Sequence, residues 1–493
     1  MFKAVKERME DVVMDTGNPL VQGSIIDGKE VRGGSRMEVR SPYNQHLIGY
    51  IETASPDDVN EAVASAHRVF HDVMKSMPAY RRADILRKTA DLVEQSADEF
   101  VRLLALEAGK PLREGRAEVA RGVQVLRFAA EGAKNIGGEQ IPLDSAIGGE
   151  GRWGLTKRYP LGVVAAITPF NFPLNLVLHK VAPALAAGNT VVLKPAEKTP
   201  FTPVLLYKLL EQAGLPQGAL QILMGPGTDI VEPLVTDPRV KKVTFTGSSA
   251  VGWRIKEMAK SSKVTLELGS NAPNLIFDDA DLDAAAASIV KGGFVYAGQA
   301  CVSVQRVYVQ QNAYQPLLDK LLAEVGKLKV GDPEDPATDV GPMITGVAAE
   351  RAESWVREAV AQGARAVAGG KRNGTLFEPT VLVDVRHEMK VVCQEVFAPI
   401  VCLLPFQTEA EAVAYANDSE FGLQAGVFTS DLNRALRIAD VLETGGVWIN
   451  EVSLLRYDHI PYGGVKRSGI GKEGVKYAIE DMTELKFIGI RLL

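Results

Sequence analysis

The sequence predicts an α/β protein of more than one domain, built on parallel sheets, and three observations carry that prediction. A chain of 493 residues exceeds what a single hydrophobic core organises. From Gly162 to Lys260, short apolar runs of strand length alternate with stretches of helical periodicity. Glycines punctuate the joins, at Gly188-Asn189, Gly214 and Gly247. This β-α-β-α-β order implies a parallel sheet with helices on both faces, an architecture that places ligands at the carboxyl ends of its strands.

Composition narrows the class. The apolar fraction of 46% and charged fraction of 24% are ordinary for a globular protein. A net charge of −6 provides no global field to attract nucleic acid or an anionic membrane. No apolar run approaches the ~18 residues of a spanning helix, and the first residues lack the apolar centre of a secretory leader. The expected location is therefore the cytoplasm. Three cysteines, Cys301, Cys393 and Cys402, are a poor disulfide framework and show no metal-ligand spacing; no metal site is expected. Cys393 and Cys402 are expected in the core. His67 and His71, four apart, are read as one solvated helix face.

The elements follow in order. The first ~20 residues read as a polar helix or loose arm. Residues 54–70 open with Ser55-Pro56-Asp57, a helix-start signal. A long helical region over 79–131 is broken most clearly at Gly109-Lys110-Pro111. Residues 139–157 read as an excursion of extended strands. Strands are then predicted at 163–167, 190–193, 219–223 and 240–245, and helices at 174–187, 202–213 and 250–260. A second α/β region runs from about Gly269 to Gly464. The acidic run 278–283 fails the spacing of a calcium loop and reads as the cap of a helix over 282–290.

Several constellations carry chemistry. Phe245-Thr246-Gly247-Ser248 ends a strand and opens a helix, where free N–H groups suit a pyrophosphate. The stretch is neither G-x-G-x-x-G nor a P-loop, since Trp253-Arg254 stands where the latter requires Lys-Ser/Thr. Lys194-Pro195-Ala196-Glu197 places a lysine and a carboxylate at a strand end, either to bond ribose hydroxyls or as a surface ion pair. A carboxylate beside the 2′-hydroxyl favours NAD over NADP. Cys301 follows Gly298-Gln299-Ala300; it is either a small buried hydrophobe or a nucleophile. Glu267, in an otherwise apolar strand, is costly to bury unless it is paired or serves as a base of raised pKa. Asn171, between Phe170 and Phe172, is either a turn residue or a donor to an oxyanion.

Taken together, these motifs resemble the aldehyde dehydrogenase superfamily. The resemblance spans the chain from about Ile25 to its end. Seven motifs occur in the family's order: Pro-Phe-Asn-Phe-Pro at 169–173, Lys-Pro-Ala-Glu at 194–197, Phe-Thr-Gly-Ser at 245–248, Glu-Leu-Gly-Ser at 267–270, Gly-Gln-Ala-Cys at 298–301, Gln-Glu-Val-Phe-Ala-Pro at 394–399 and Pro-Tyr-Gly-Gly-Val-Lys at 461–466. The resemblance implies a Rossmann-like cofactor domain (1–137 and 159–268), an α/β catalytic domain (269–464) and a small β oligomerisation element (138–158 and 476–493) serving a homodimer or homotetramer. It implies Cys301 as nucleophile, Glu267 as the base that activates water, and Asn171 with the Cys301 N–H as the oxyanion hole. It assigns NAD, with NADP possible, to Thr168, Phe170, Leu268 and Phe397 beside the motif residues. Of these, Lys194 and Glu197 hold the adenine ribose, Gly247 and Ser248 the pyrophosphate, and Glu395 the nicotinamide ribose. The family's usual glycine at position 270 is Ser270 here.

The stretch Arg456-Tyr457-Asp458-His459 is similar to lactaldehyde-type and non-phosphorylating glyceraldehyde-3-phosphate members, in which arginines bind an anionic substrate end. Arg121, Phe172, Arg456 and His459 are the corresponding substrate residues. Ala300 and Phe172 replace an arginine and a tyrosine of the phosphate enzymes, so half of that anion site is present. The implied reaction oxidises a small, polar aldehyde to its acid through a thioester. The alternatives are a CoA-acylating enzyme, which has no need of a base at Glu267, and a non-catalytic protein that keeps the fold.

Overall fold

The computed structural model describes residues 19–492, so the arm expected over the first ~20 residues lies almost wholly outside the described residues. Its centre is an eight-stranded sheet. Five of these strands are parallel, in the spatial order Lys263–Glu267, Val240–Thr246, Val163–Ile167, Thr190–Lys194 and Leu220–Ile222. Chain order runs outward from Val163–Ile167, first to one side and then to the other. The two sides therefore diverge between Val163–Ile167 and Val240–Thr246, and a crevice opens at the carboxyl ends there.

The strands are apolar because both faces are covered. Val163, Ala165 and Ile167 pack into one core, while Val164 and Ala166 face the other. Val192 and the pair Val191 and Leu193 repeat the alternation in the adjacent strand. Helix Asn175–Ala187 is buried along its whole length and stops at Gly188, whose φ of 93° suits glycine. The predicted long helical region is three helices, Ala79–Gln95, Ala97–Ala108 and Leu112–Lys134, with the second break at Gly109 to Pro111. The sequence reading passed over one helix, Gly227–Thr236. Its apolar stripe of Ile230, Val231, Leu234 and Val235 is regular, but ten residues with Pro233 inside give a weak helical signal.

A second sheet of seven strands has Arg306–Gln310 at its middle, flanked by Pro273–Ile276 and Ile400–Phe406. All its pairings are parallel except that of the edge strand Arg365–Ala368. A further antiparallel sheet joins Gln140–Ile141, Arg152–Pro160 and Thr483–Arg491. The short helix Val475–Asp481 before its last strand packs Val475 and Ile479 into the core of the first sheet. The acidic run behaves as predicted: Asp281 accepts from the N–H groups of Asp283 and Ala284 and starts helix Leu282–Phe294. No helix among the described residues is long and apolar enough to cross a membrane.

Candidate active site

A cavity of about 500 Å³ opens at the crevice, between the first sheet and the loops of the second. Phe170 and Asn171 reach it from the end of Val163–Ile167, and Gly247 and Ser248 from the end of Val240–Thr246. Glu267 and Leu268 end a third strand there, Cys301 and Phe172 line it, and Glu395 and Phe397 come from the loop before strand Ile400–Phe406 of the second sheet. Arg121 and Arg456 also line it. Thr168, Lys194 and Glu197 lie outside the lining, and so does His459, which is exposed against Phe128. Lys194 and Glu197 pair at 2.8 Å beside the end of Thr190–Lys194, the next strand along.

The cavity concentrates unsatisfied polar atoms. Among the described residues, eleven buried side-chain polar atoms lack a partner, and six belong to lining residues: Asn171 Oδ1, Asn175 Oδ1, Thr246 Oγ1, Arg456 Nε and both carboxylate oxygens of Glu267. Folded proteins rarely tolerate such groups except where function requires them. Gly269 keeps the Glu395 carboxylate close. A β-carbon there would fall 2.3 Å from Glu395 Oε2, while the N–H of Ser270 donates to Glu395 Oε1 at 2.9 Å. Helix Ser249–Met258 begins at Ser248, whose side chain makes no cap bond, which leaves the first N–H groups to an anion. These features fit a dinucleotide laid across the strand ends.

Cys301 is presented by a strained turn. Tyr296, Ala297 and Gly298 have φ of 48°, 51° and 67°, so two non-glycine residues in succession adopt the left-handed region. The surroundings hold them there. Tyr296 donates its hydroxyl to the Ala108 carbonyl at 2.7 Å, and a side chain on Gly298 would meet the Ala398 carbonyl at 2.2 Å. Asn171 donates its amide to the Gln299 carbonyl at 2.9 Å, which ties the Asn171 loop to the cysteine turn and leaves a second N–H. The Cys301 sulfur lies 3.2 Å from the hydroxyl of Tyr462. Burial raises the thiol to about 11, against the opposing pull of Tyr462 and the Arg456 charge. Burial also raises the Glu267 carboxyl well above its ordinary range, helped by the charge of Glu473 and opposed by Arg456, Lys180 and Lys472.

Sequence reasoning missed the groups that hold this arrangement. Lys110, buried, pairs with buried Glu118 and donates to the Asn171 carbonyl at 2.8 Å; its ammonium sits 3.9 Å from the centre of the Phe172 ring. Glu118 accepts from the N–H groups of Leu174 and Asn175 at 3.0 and 3.1 Å. Lys180 and Arg456 grip the two oxygens of Glu473 at 2.6 and 3.0 Å. The available signal was a charged residue in an apolar helix: Lys180 stands among Leu176, Val177, Val181 and Ala182. Arg121 pairs with Asp458 at 2.7 Å. Of the two remaining cysteines, Cys402 is buried as expected, whereas Cys393 is exposed; it closes the last turn of a short helix at the surface.

Comparison with known proteins adds to this geometry. The model of the aldehyde dehydrogenase family matches residues 30–488. A 3-sulfolactaldehyde dehydrogenase of Priestia megaterium is 49% identical over 471 residues, covering 95% of this chain and 98% of that one. The crystal structure of aldehyde dehydrogenase 21 from Physcomitrella patens in complex with the reaction product succinate superposes with a TM-score of 0.94 at 40% identity, covering 97% and 99%. A glyceraldehyde-3-phosphate dehydrogenase from Methanocaldococcus jannaschii complexed with NADP gives a TM-score of 0.90 at 39% identity, covering 94% and 100%.

Proposed function

The chain belongs to the aldehyde dehydrogenase family, and on that premise we propose that it oxidises a small, polar, anionic aldehyde to its carboxylic acid at Cys301 with NAD or NADP. The observation that carries the reading is the shared cavity. One thiol, one unpaired carboxyl and one amide with a spare N–H line the same space at the carboxyl ends of the sheet.

Cys301, as the thiolate, attacks the carbonyl carbon, and the resulting oxyanion takes hydrogen bonds from the spare Asn171 N–H and from the Cys301 backbone N–H. A bound nicotinamide would supply the acceptor for the hydride that leaves this carbon. A thioester on Cys301 remains. Glu267 then takes a proton from water, which attacks the thioester and releases the acid. Its two unpaired oxygens leave it free for that task, and this base favours water over CoA as the acceptor.

Glu395 is assigned to the nicotinamide ribose, Ser248 and Gly247 to the pyrophosphate, and Lys194 with Glu197 to the adenine ribose. Thr168, Phe170, Leu268 and Phe397 complete the dinucleotide's surroundings. Arg456 supports the anionic substrate: its side chain is 8% exposed, it lines the cavity and its Nε has no partner among the described residues. Arg121 keeps a third of its side chain exposed beside Asp458 and adds a second cation. The relative named for 3-sulfolactaldehyde and the neighbour solved with succinate both point to an acid group on the substrate. The enzyme is assigned to the cytoplasm and to a homodimer or homotetramer.

The test is a panel of aldehydes carrying sulfonate, carboxylate, phosphate or no charge, assayed with NAD and NADP, with and without CoA. Arg456→Ala and Arg121→Ala are expected to lose at least about tenfold in kcat/KM on the anionic aldehydes, the scale of one charged hydrogen bond. For Arg121→Ala, which touches neither Cys301 nor Tyr462, losses of equal size on neutral aldehydes would remove the anion from the proposal. A requirement for CoA would replace hydrolysis by acyl transfer.

A further inference from the structure

Among the described residues the Cys301 side chain has one hydrogen-bond partner, Tyr462 of the motif Pro-Tyr-Gly-Gly-Val-Lys, which is not among the residues assigned to catalysis. The Tyr462 hydroxyl sits 3.2 Å from its sulfur. Tyr462 is 3% exposed and packs with Val302 and Leu423 beside the cysteine turn. The guanidinium of Arg456 lies 3.7 Å from the centre of the Tyr462 ring, on the side that also carries Glu473 and Lys180. The ring is thus fixed by a stacked cation, and Gly463 and Gly464 follow it directly.

We propose that Tyr462 is a positioning residue for Cys301: its hydroxyl donates a hydrogen bond to the thiolate, and the stacked Arg456 holds the ring in place to do so. The chemistry follows from the two groups. A thiolate has no proton to give, so once Cys301 ionises the only available bond runs from the tyrosine O–H to the sulfur. Burial raises the phenol well above its ordinary value, with the Cys301 charge reinforcing the shift, so Tyr462 keeps its proton while the thiol ionises. A hydrogen bond to a charged acceptor is stronger than one to a neutral thiol, so it lowers the cost of ionisation. It also fixes the sulfur's rotamer before an aldehyde arrives. The other charges that face the sulfur are Arg456, which favours the thiolate, and Glu395 and Glu267, which oppose it. Lys180, Lys472 and Glu473 act on it through Glu267 and Arg456.

The proposal rests on the assignment of Cys301 as nucleophile, and the experiment separates the two. Exposed Cys393 is first replaced by serine to remove background, and Cys301 is then alkylated with iodoacetamide across a pH series. In that background Tyr462→Phe should raise the apparent thiol pKa by about one unit, which slows alkylation about tenfold at any pH below it. Its kcat should fall at neutral pH and recover as pH rises, with KM for the dinucleotide unchanged. A folded Tyr462→Phe protein with the parent's alkylation profile overturns the proposal, because the ring alone would then be sufficient. So does a profile shifted downward, which is what mere loosening of the packing around the thiol would give. If alkylating Cys301 leaves dehydrogenase turnover intact, the nucleophile assignment itself fails and the positioning role falls with it.

Discussion

Two groups that must act without their protons are held with them. Burial drives Cys301 to about 11 and Glu267 well above the ordinary carboxylate range, and both reactions assigned to them require the ionised form. The sign is the same for both: each rise in pH toward the raised values increases the active fraction. The rate should therefore climb from about pH 6 to about pH 9, at no more than about tenfold per unit for each group. The check is a pH profile of kcat/KM and kcat with a saturating dinucleotide. A flat profile across that range would show that neither group titrates there in the working enzyme. At this scale the sequence marked residues that the fold brings into one cavity and concealed their partners. Cys301, Glu267 and Asn171 stand in short motifs whose residue types already suggest chemistry. Tyr462, Lys110 and Glu473 act through contacts across 161, 61 and 293 residues of chain, which no local pattern encodes.

The loop that carries Asn171 is held by a buried ion pair. Lys110 grips its carbonyl, and Glu118, from helix Leu112–Lys134, binds the first N–H groups of the segment entering helix Asn175–Ala187. Removing one partner of a buried pair typically costs about 3–5 kcal/mol, because the other charge is left alone. Glu118→Gln should therefore lower the denaturant midpoint of unfolding and reduce kcat at least about tenfold as Asn171 loses its position. The measurements are denaturant unfolding followed by fluorescence, alongside steady-state kinetics. A wild-type midpoint would mean that Lys110 finds another acceptor and that the pair does not anchor the loop. Strands such as Val163–Ile167 were legible because continuous apolar runs between glycine turns have few other readings. Helix Gly227–Thr236 was not, because a proline within ten residues erases the periodic signal that would reveal it. Gly109-Lys110-Pro111 was legible as a break, but its lysine was not legible as the anchor it is.

At the scale of the molecule, both sheets direct strand ends and loops toward one cavity, so the fold positions the site and the motifs merely mark it. Thr483–Arg491 pairs with Arg152–Pro160 along its whole length and leaves Leu485, Phe487 and Ile490 exposed, with Trp153 on the neighbouring strand. An apolar ribbon of this kind is where the proposed second subunit would pair. A chain ending at Met482 should sediment as a smaller species than the full chain while still melting cooperatively; identical sedimentation would detach oligomerisation from this ribbon. The overall α/β architecture was legible from the alternation of strand and helix. The return of the chain after 464 to the first sheet was not, because Gly469–Ile470 and Val475–Asp481 are too short to carry a pattern.

The most direct test of the whole account is mass spectrometry of Glu267→Gln after mixing with dinucleotide and aldehyde. The account predicts one burst of reduced nicotinamide, stalled turnover, and an acyl group in thioester linkage on the peptide containing Cys301. A substrate-derived adduct elsewhere, or steady turnover by Glu267→Gln with no adduct at Cys301, would contradict it.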